Sequence, residues 1–165
     1  MGTIGGDVER TDVTDVQATK SFTEFVRDVE PRLKHALVAA FGPEVGIEAT
    51  RDALAVGWER WEEVREKANP AGYLFGVGRN KARRRLRRHR LFPVPPADHD
   101  PWVEPALPEA LRRLSERQRL AVMLLHGFDW THAEVAELMG VSLSTVQQHE
   151  VRGMAKLRRT IGVVR

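Results

Sequence analysis

The chain has 165 residues, 26 Lys or Arg against 23 Asp or Glu, and no cysteine. Its length holds one ordinary domain or two small ones, and 42% hydrophobic with 30% charged content is the balance of a globular chain rather than a disordered one. Without cysteine there is no disulfide framework and no thiolate metal centre. No apolar run reaches the length of a membrane span or a signal-peptide core, so the expected setting is the cytoplasm.

Residues 1–20 are rich in Gly, Thr and Asp and lack apolar periodicity, so they read as a disordered tail. From Ser21 the pattern changes. Phe22, Phe25, Val26, Val29, Leu33, Leu37 and Ala40 recur at three- and four-residue spacing, the period of an amphipathic helix, and Ser21 with Glu24 has the form of a capping box. "FGPEVG" ends that helix. A second stretch runs from Ile47 to Val64, with Ile47, Leu54, Trp58, Trp61 and Val64 on one stripe and both tryptophans assigned to core packing.

"NPAG" at 69–72 interrupts, and a third helix continues through Arg90 with Leu74, Gly78, Ala82 and Leu86 as its buried row. Gly76 and Gly78 fit close helix packing. Seven of the ten residues from Lys81 to Arg90 are Lys or Arg, and no acid lies between Arg79 and Pro93. A merely solvated helix surface usually mixes signs, so this run predicts a surface for a polyanion.

Six prolines between Pro93 and Pro108 cannot continue a helix and predict an extended linker over 91–107. The expected fold is therefore all-α, with two small helical domains at 21–90 and 108–165. Such a linker lets them stand tens of ångströms apart.

Beyond it four helices are expected. The first spans 108–114; the second is capped by Ser115 and carries Leu120, Met123 and Leu124 on its apolar face. The third, His132 to Met139, opens with a Thr131–Glu134 capping box, and the last runs from Leu143 to Arg159 after the Gly140 turn and a Ser142 cap. A short helix, a glycine turn and a longer helix make a helix-turn-helix, whose second helix reads the major groove. Ser144, Thr145, Gln147, Gln148, His149 and Arg152 are placed to meet base edges, since Gln pairs with adenine and Arg with guanine. Lys156 and the arginines beyond it are expected on phosphates. From 152 to 165 five basic residues meet no acid, a second basic patch.

Nothing predicts catalysis. The six histidines lack His-Glu-x-x-His spacing, no phosphate-binding glycine loop is present, and the Asp98-His99-Asp100 triplet falls in the linker. No catalytic residue, metal or cofactor is assigned, and the protein is not read as an enzyme.

"GYLFGVGRNKARRRLRR" resembles the promoter-recognition helix of the extracytoplasmic-function (ECF) bacterial sigma factors, with Tyr73-Leu74-Phe75, Arg79-Asn80 and Leu86-Arg87-Arg88 in the family's places. "EATRDALAVGW" resembles its acidic polymerase-binding helix, and the C-terminal helix-turn-helix resembles its region 4. The resemblance covers residues 21–162. It implies a subunit that binds core RNA polymerase, captures the −10 promoter element with region 2 and reads the −35 element with region 4. On that analogy the 66–72 loop and Tyr73, Arg79, Asn80, Lys81, Arg84, Arg87 and Arg88 contact the −10 DNA. Glu48, Arg51 and Asp52 face the polymerase, while Ser144, Thr145, Gln147, Gln148, His149, Arg152 and Lys156 contact the −35 DNA. Core polymerase and promoter DNA are the implied partners, with no membrane, and an anti-sigma factor is a further partner the resemblance leaves open.

The chain departs from the family at three places. Arg51 stands where glutamine is common, Arg84 where aspartate is frequent, and Glu150 where an apolar residue is expected. "TVQQHEVRGMAKL" also resembles the LuxR-type helix-turn-helix, so the alternative function is a stand-alone DNA-binding regulator. Residues 21–90 argue against it, being too small and too helical for the receiver or ligand-binding domain that LuxR-type proteins carry.

Overall fold

The computed structural model describes the backbone at residues 7–89 and 106–162, with side chains at 16–87 and 106–162. Every regular element there is a helix: α1 Asp7–Phe41, α2 Pro43–Glu59, α3 Trp61–Val64, α4 Pro70–His89, α5 Leu107–Arg112, α6 Glu116–Gly127, α7 His132–Met139 and α8 Leu143–Ile161. Of the linker expected over 91–107, residues 91–105 lie outside the described residues, as do the side chain of Arg88 and residues 1–6, while Leu107 already opens α5. No described helix is long and apolar enough to cross a membrane.

α1 begins at Asp7 rather than at Ser21, so most of the expected disordered tail is helical. No Gly or Pro interrupts residues 7–30, and the Ser21–Glu24 pair lies in mid-helix instead of capping it. Pro31 sits inside α1 without ending it. Gly42, at φ 85°, makes the turn that no other residue adopts readily, and Pro43 opens α2 where its missing N–H costs nothing.

α1, α2 and α4 pack around Leu33, Leu37, Ala40, Ala49, Ala53, Leu74, Phe75 and Ala82, all buried. The glycine pair divides. A Cβ on Gly78 would stand 2.6 Å from Leu37 Cδ1 and 3.3 Å from the Ala49 carbonyl, so α4 crosses closely there, whereas Gly76 faces open space. Trp61 is buried against Phe22 and Phe25, with ring centroids 5.2 and 5.0 Å away. Trp58, expected in the core, is 48% exposed and only leans on Phe22. The reason is the break at Arg60: α3 starts a new axis, so the two tryptophans do not share one stripe.

The C-terminal elements follow the expected boundaries closely. Ser115 and Gln118 form a full capping box on α6, Thr131 and Glu134 another on α7, and Gly140 closes α7 at φ 63°. Ser142 caps α8 by accepting from the Thr145 N–H.

The two halves do not stand apart. Leu33, Leu37 and Ala40 of α1 belong to one continuous buried cluster with Leu120, Leu124, Val135 and Val146. Arg119 of α6 sends Nε to the Ala40 carbonyl at 2.7 Å, satisfying one of the carbonyls that a helix end leaves without a partner. The His35 ring stacks on Phe128 at 4.3 Å, and the Arg32 guanidinium lies 4.7 Å above the Trp130 ring and 3.4 Å from Glu134.

Candidate nucleic-acid interface

α4 is started by Asn69, whose side-chain oxygen accepts the Gly72 N–H at 2.8 Å. That cap sets Tyr73 in the first turn, half-buried, with Lys67 Nζ 5.2 Å above its ring. The helical period then sends the basic residues in different directions.

Arg79 and Arg83, one turn apart, point at α6. Arg83 donates from Nε and a terminal nitrogen to the two carboxylate oxygens of Glu116 at 2.8 and 3.1 Å, and Arg79 Nε lies 3.9 Å from the same group. Arg85 turns the other way and binds both Glu48 and Asp52 of α2, the latter at 2.7 Å. These carboxylates, Asp52 foremost, hold the Arg85 guanidinium above the usual arginine range. Asn80, Arg84 and Arg87 share the remaining outward face, all exposed, and neither arginine forms an ion pair among the described residues. Lys81 is half-buried beside them.

α2 shows a feature the sequence assigned inward. Ile47 and Trp58 are 37% and 48% exposed, and with exposed Arg51 and half-buried Leu54 they line one face at positions 47, 51, 54 and 58. The apolar periodicity was the available signal; it identifies a stripe without saying whether another element covers it.

α8 separates its two faces cleanly. Val146, Gly153 and Leu157 are buried, and a Cβ on Gly153 would meet Val122 Cγ2 at 2.7 Å, so α8 lies close on α6. Outward stand two rows. One is Ser144, Gln148 and Arg152; the other is Leu143, Gln147 and Val151, and all six are exposed. Sequence reasoning gives Leu143 and Val151 no role, yet at 51% and 66% they are the two large hydrophobics most exposed on this half. Apolar groups on such a face suit thymine methyls.

Three of the residues expected on DNA are held elsewhere. Thr145 is half-buried with its hydroxyl 2.8 Å from the Ser142 hydroxyl. Lys156 donates to the Arg113 carbonyl at 2.5 Å. His149 faces inward; its Nε2 is buried without a partner, and burial, with Arg117 and Arg152 nearby, lowers its affinity for a proton. Glu150 accepts from His126 at 2.9 Å and from His132 at 2.7 Å, which ties α8 to the end of α6 and the start of α7. That pairing accounts for a carboxylate where an apolar residue is expected. No group of three or more His, Asp or Glu side chains among the described residues is arranged for a metal ion.

A three-helix unit with a capped, outward-facing second helix, beside an arginine-bearing helix, defines a helix-turn-helix DNA-binding protein. The sequence profile for sigma-70, region 4 matches residues 105–157, which span α5 to most of α8. The chain is 28% identical over 173 residues to the ECF RNA polymerase sigma factor SigM of Mycobacterium tuberculosis strain H37Rv, covering 96% of this chain and 88% of that protein. To SigM of strain Erdman it is 30% identical over 124 residues, covering 70% of this chain and 63% of that protein. Its fold is similar to the sigma factor RpoE of Bartonella quintana, solved in complex with the anti-sigma factor NepR. The TM-score is 0.61 at 21% identity, covering 88% of this chain and 99% of the other. In sequence and in fold the chain is thus similar to ECF sigma factors, and its C-terminal half matches sigma-70, region 4.

Proposed function

We propose that this chain binds core RNA polymerase and directs it to promoters, with α4 on the −10 element and α8 on the −35 element. The observation that carries the reading is the presence in one chain of two separate outward rows suited to nucleic acid. Ser144, Gln148 and Arg152, with Leu143, Gln147 and Val151, offer hydrogen-bonding and apolar groups to a major groove. Arg84 and Arg87 offer charge, and Asn80 hydrogen bonds, to a strand whose bases reach the Tyr73 region, as basic grooves with aromatic side chains do for single strands. Arg88 belongs to the same assignment by its place in the motif.

Polymerase binding is assigned to the exposed face of α2, where Arg51 lies between Ile47 and Trp58. Glu48 and Asp52 act there through Arg85, which fastens α2 to α4 and so fixes the angle between the polymerase face and the −10 helix. The 21–90 and 108–165 halves are the two functional units. The reading places the protein in the cytoplasm, gives it no catalytic chemistry of its own, and makes an anti-sigma factor a candidate partner, as the solved relative has one.

Run-off transcription with core polymerase and a randomised promoter library tests the reading. New start sites that appear only with the added chain, sharing two sequence elements, are expected. DNA binding without co-purification with core and without new start sites would instead favour a stand-alone regulator.

A further inference from the structure

Glu150 brings two imidazoles from different helices onto one carboxylate at the edge of the outward face of α8. His126, in the last turn of α6, lies 2.9 Å from one oxygen, and His132, the first residue of α7, lies 2.7 Å from the other. A carboxylate only accepts, so each ring carries a hydrogen on Nε2, and Nδ1 is the atom left to titrate. Both contacts therefore persist whether the rings are neutral or cationic. The carboxyl is held below its ordinary range, first by the hydrogen bond from His132, so it stays anionic while imidazoles change charge between about pH 5 and 8. With neutral rings the cluster carries −1; two added protons bring it to +1 with no contact broken.

This charge change falls beside the surface that reads DNA. Glu150 follows Gln147 by three residues, which makes the two neighbours on the helix surface. The side chains of His126 and His132 are 49% and 40% exposed. In a helix-turn-helix the first helix crosses the DNA backbone beside the groove, and His132 opens that helix here. Other charged groups around the cluster are engaged or turned elsewhere. Arg32 and Arg83, which reach α7 and α6 from α1 and α4, end on Glu134 and Glu116. Glu134 also accepts from Thr131, and Asp129 is exposed in the turn between the histidines. On α8, His149 and Arg152 lie about 100° and 200° round the helix from Glu150. Burial, ahead of Arg117 and Arg152 nearby, lowers the affinity of His149 for a proton, so that ring contributes least.

We infer that His126 and His132, fastened on Glu150, make duplex binding by α8 proton-linked, with the affinity rising as the medium acidifies. The groups that sense the change are the phosphates flanking the bases that α8 reads, so the affinity responds and the selected sequence does not. Protons are taken up as the duplex binds. The inference rests on the duplex role proposed for α8.

A labelled duplex selected from a random pool by the full-length chain is titrated at fixed ionic strength from about pH 8 to about pH 6, across the imidazole range. Wild type should bind about three- to tenfold tighter at the acid end, the range expected for two added charges facing phosphates through water. His126→Gln with His132→Gln keeps an amide donor for each carboxylate oxygen and does not titrate, so its affinity should stay level within about twofold. Calorimetry of wild-type binding in buffers of different ionisation enthalpy should show net proton uptake, and that measurement needs no variant.

A wild-type affinity that does not change with pH overturns the inference, as does binding without proton uptake or a folded double variant that keeps the wild-type response. A folded chain that selects no duplex at any pH, alone or with core polymerase, refutes the duplex role of α8 and the inference with it.

Discussion

The Glu150 carboxylate lies 2.7 Å from His132 Nε2, and its other oxygen lies 2.9 Å from His126 Nε2. The hydrogen bond from His132, more than that from His126, holds this carboxyl below the ordinary carboxylate range, and partial burial opposes it. A carboxyl depressed in the folded state stabilises that state above its unfolded value, and the contribution disappears as pH falls through the folded value. The stability gap between wild type and Glu150→Gln should therefore be widest near neutrality and close as pH drops through the carboxylate range. Thermal melts of both proteins across that range check it. A gap independent of pH would remove Glu150 as a charged tie between α8 and its neighbours.

Gly76 and Gly78 have opposite surroundings on the same helix. Gly78→Ala should destabilise by about 1–3 kcal/mol, because the added methyl meets the fully buried Leu37 side chain and a helix backbone. Gly76→Ala, in open space, should stabilise by up to about 1 kcal/mol through helix propensity. Urea titrations of the two variants give the comparison directly.

Arg84 and Arg87 face outward without ion pairs among the described residues. Replacing both with Ala should flatten the logarithmic salt dependence of single-strand binding by about 0.7 for each phosphate that is no longer neutralised. Folding stability should hardly move. An unchanged slope would take this face out of the interface.

On α8, Gln148→Ala and Arg152→Ala should each relax selectivity at one or two duplex positions, worth roughly 1–3 kcal/mol. His149→Ala should behave differently, lowering stability while leaving the selected sequence as it was, because its ring is turned inward. Selection from a random duplex pool with each variant separates the two outcomes. A changed −35 preference in the His149 variant would contradict the inward placement.

Much of this protein is determined by local sequence. Capping at Ser115, Thr131 and Ser142, the turn at Gly140 and the apolar spacing of α6 to α8 act within a few residues, so the helix-turn-helix and its outward Gln148 and Arg152 could be read directly. The all-α class followed for the same reason. What the tertiary structure decided was which faces meet. A row such as Leu33, Leu37 and Ala40 demands burial without naming its cover, and here α4 meets Leu37 while α6 reaches the Ala40 carbonyl and joins the same buried cluster from the other half. The arginines of α4 show the same division. Their sequence specifies a cationic helix, but only packing sends Arg85 to Asp52, Arg83 to Glu116 and Arg84 to solvent. The partners lie 33 residues away along the chain for both pairs, and they are set by helix crossing rather than by any local rule.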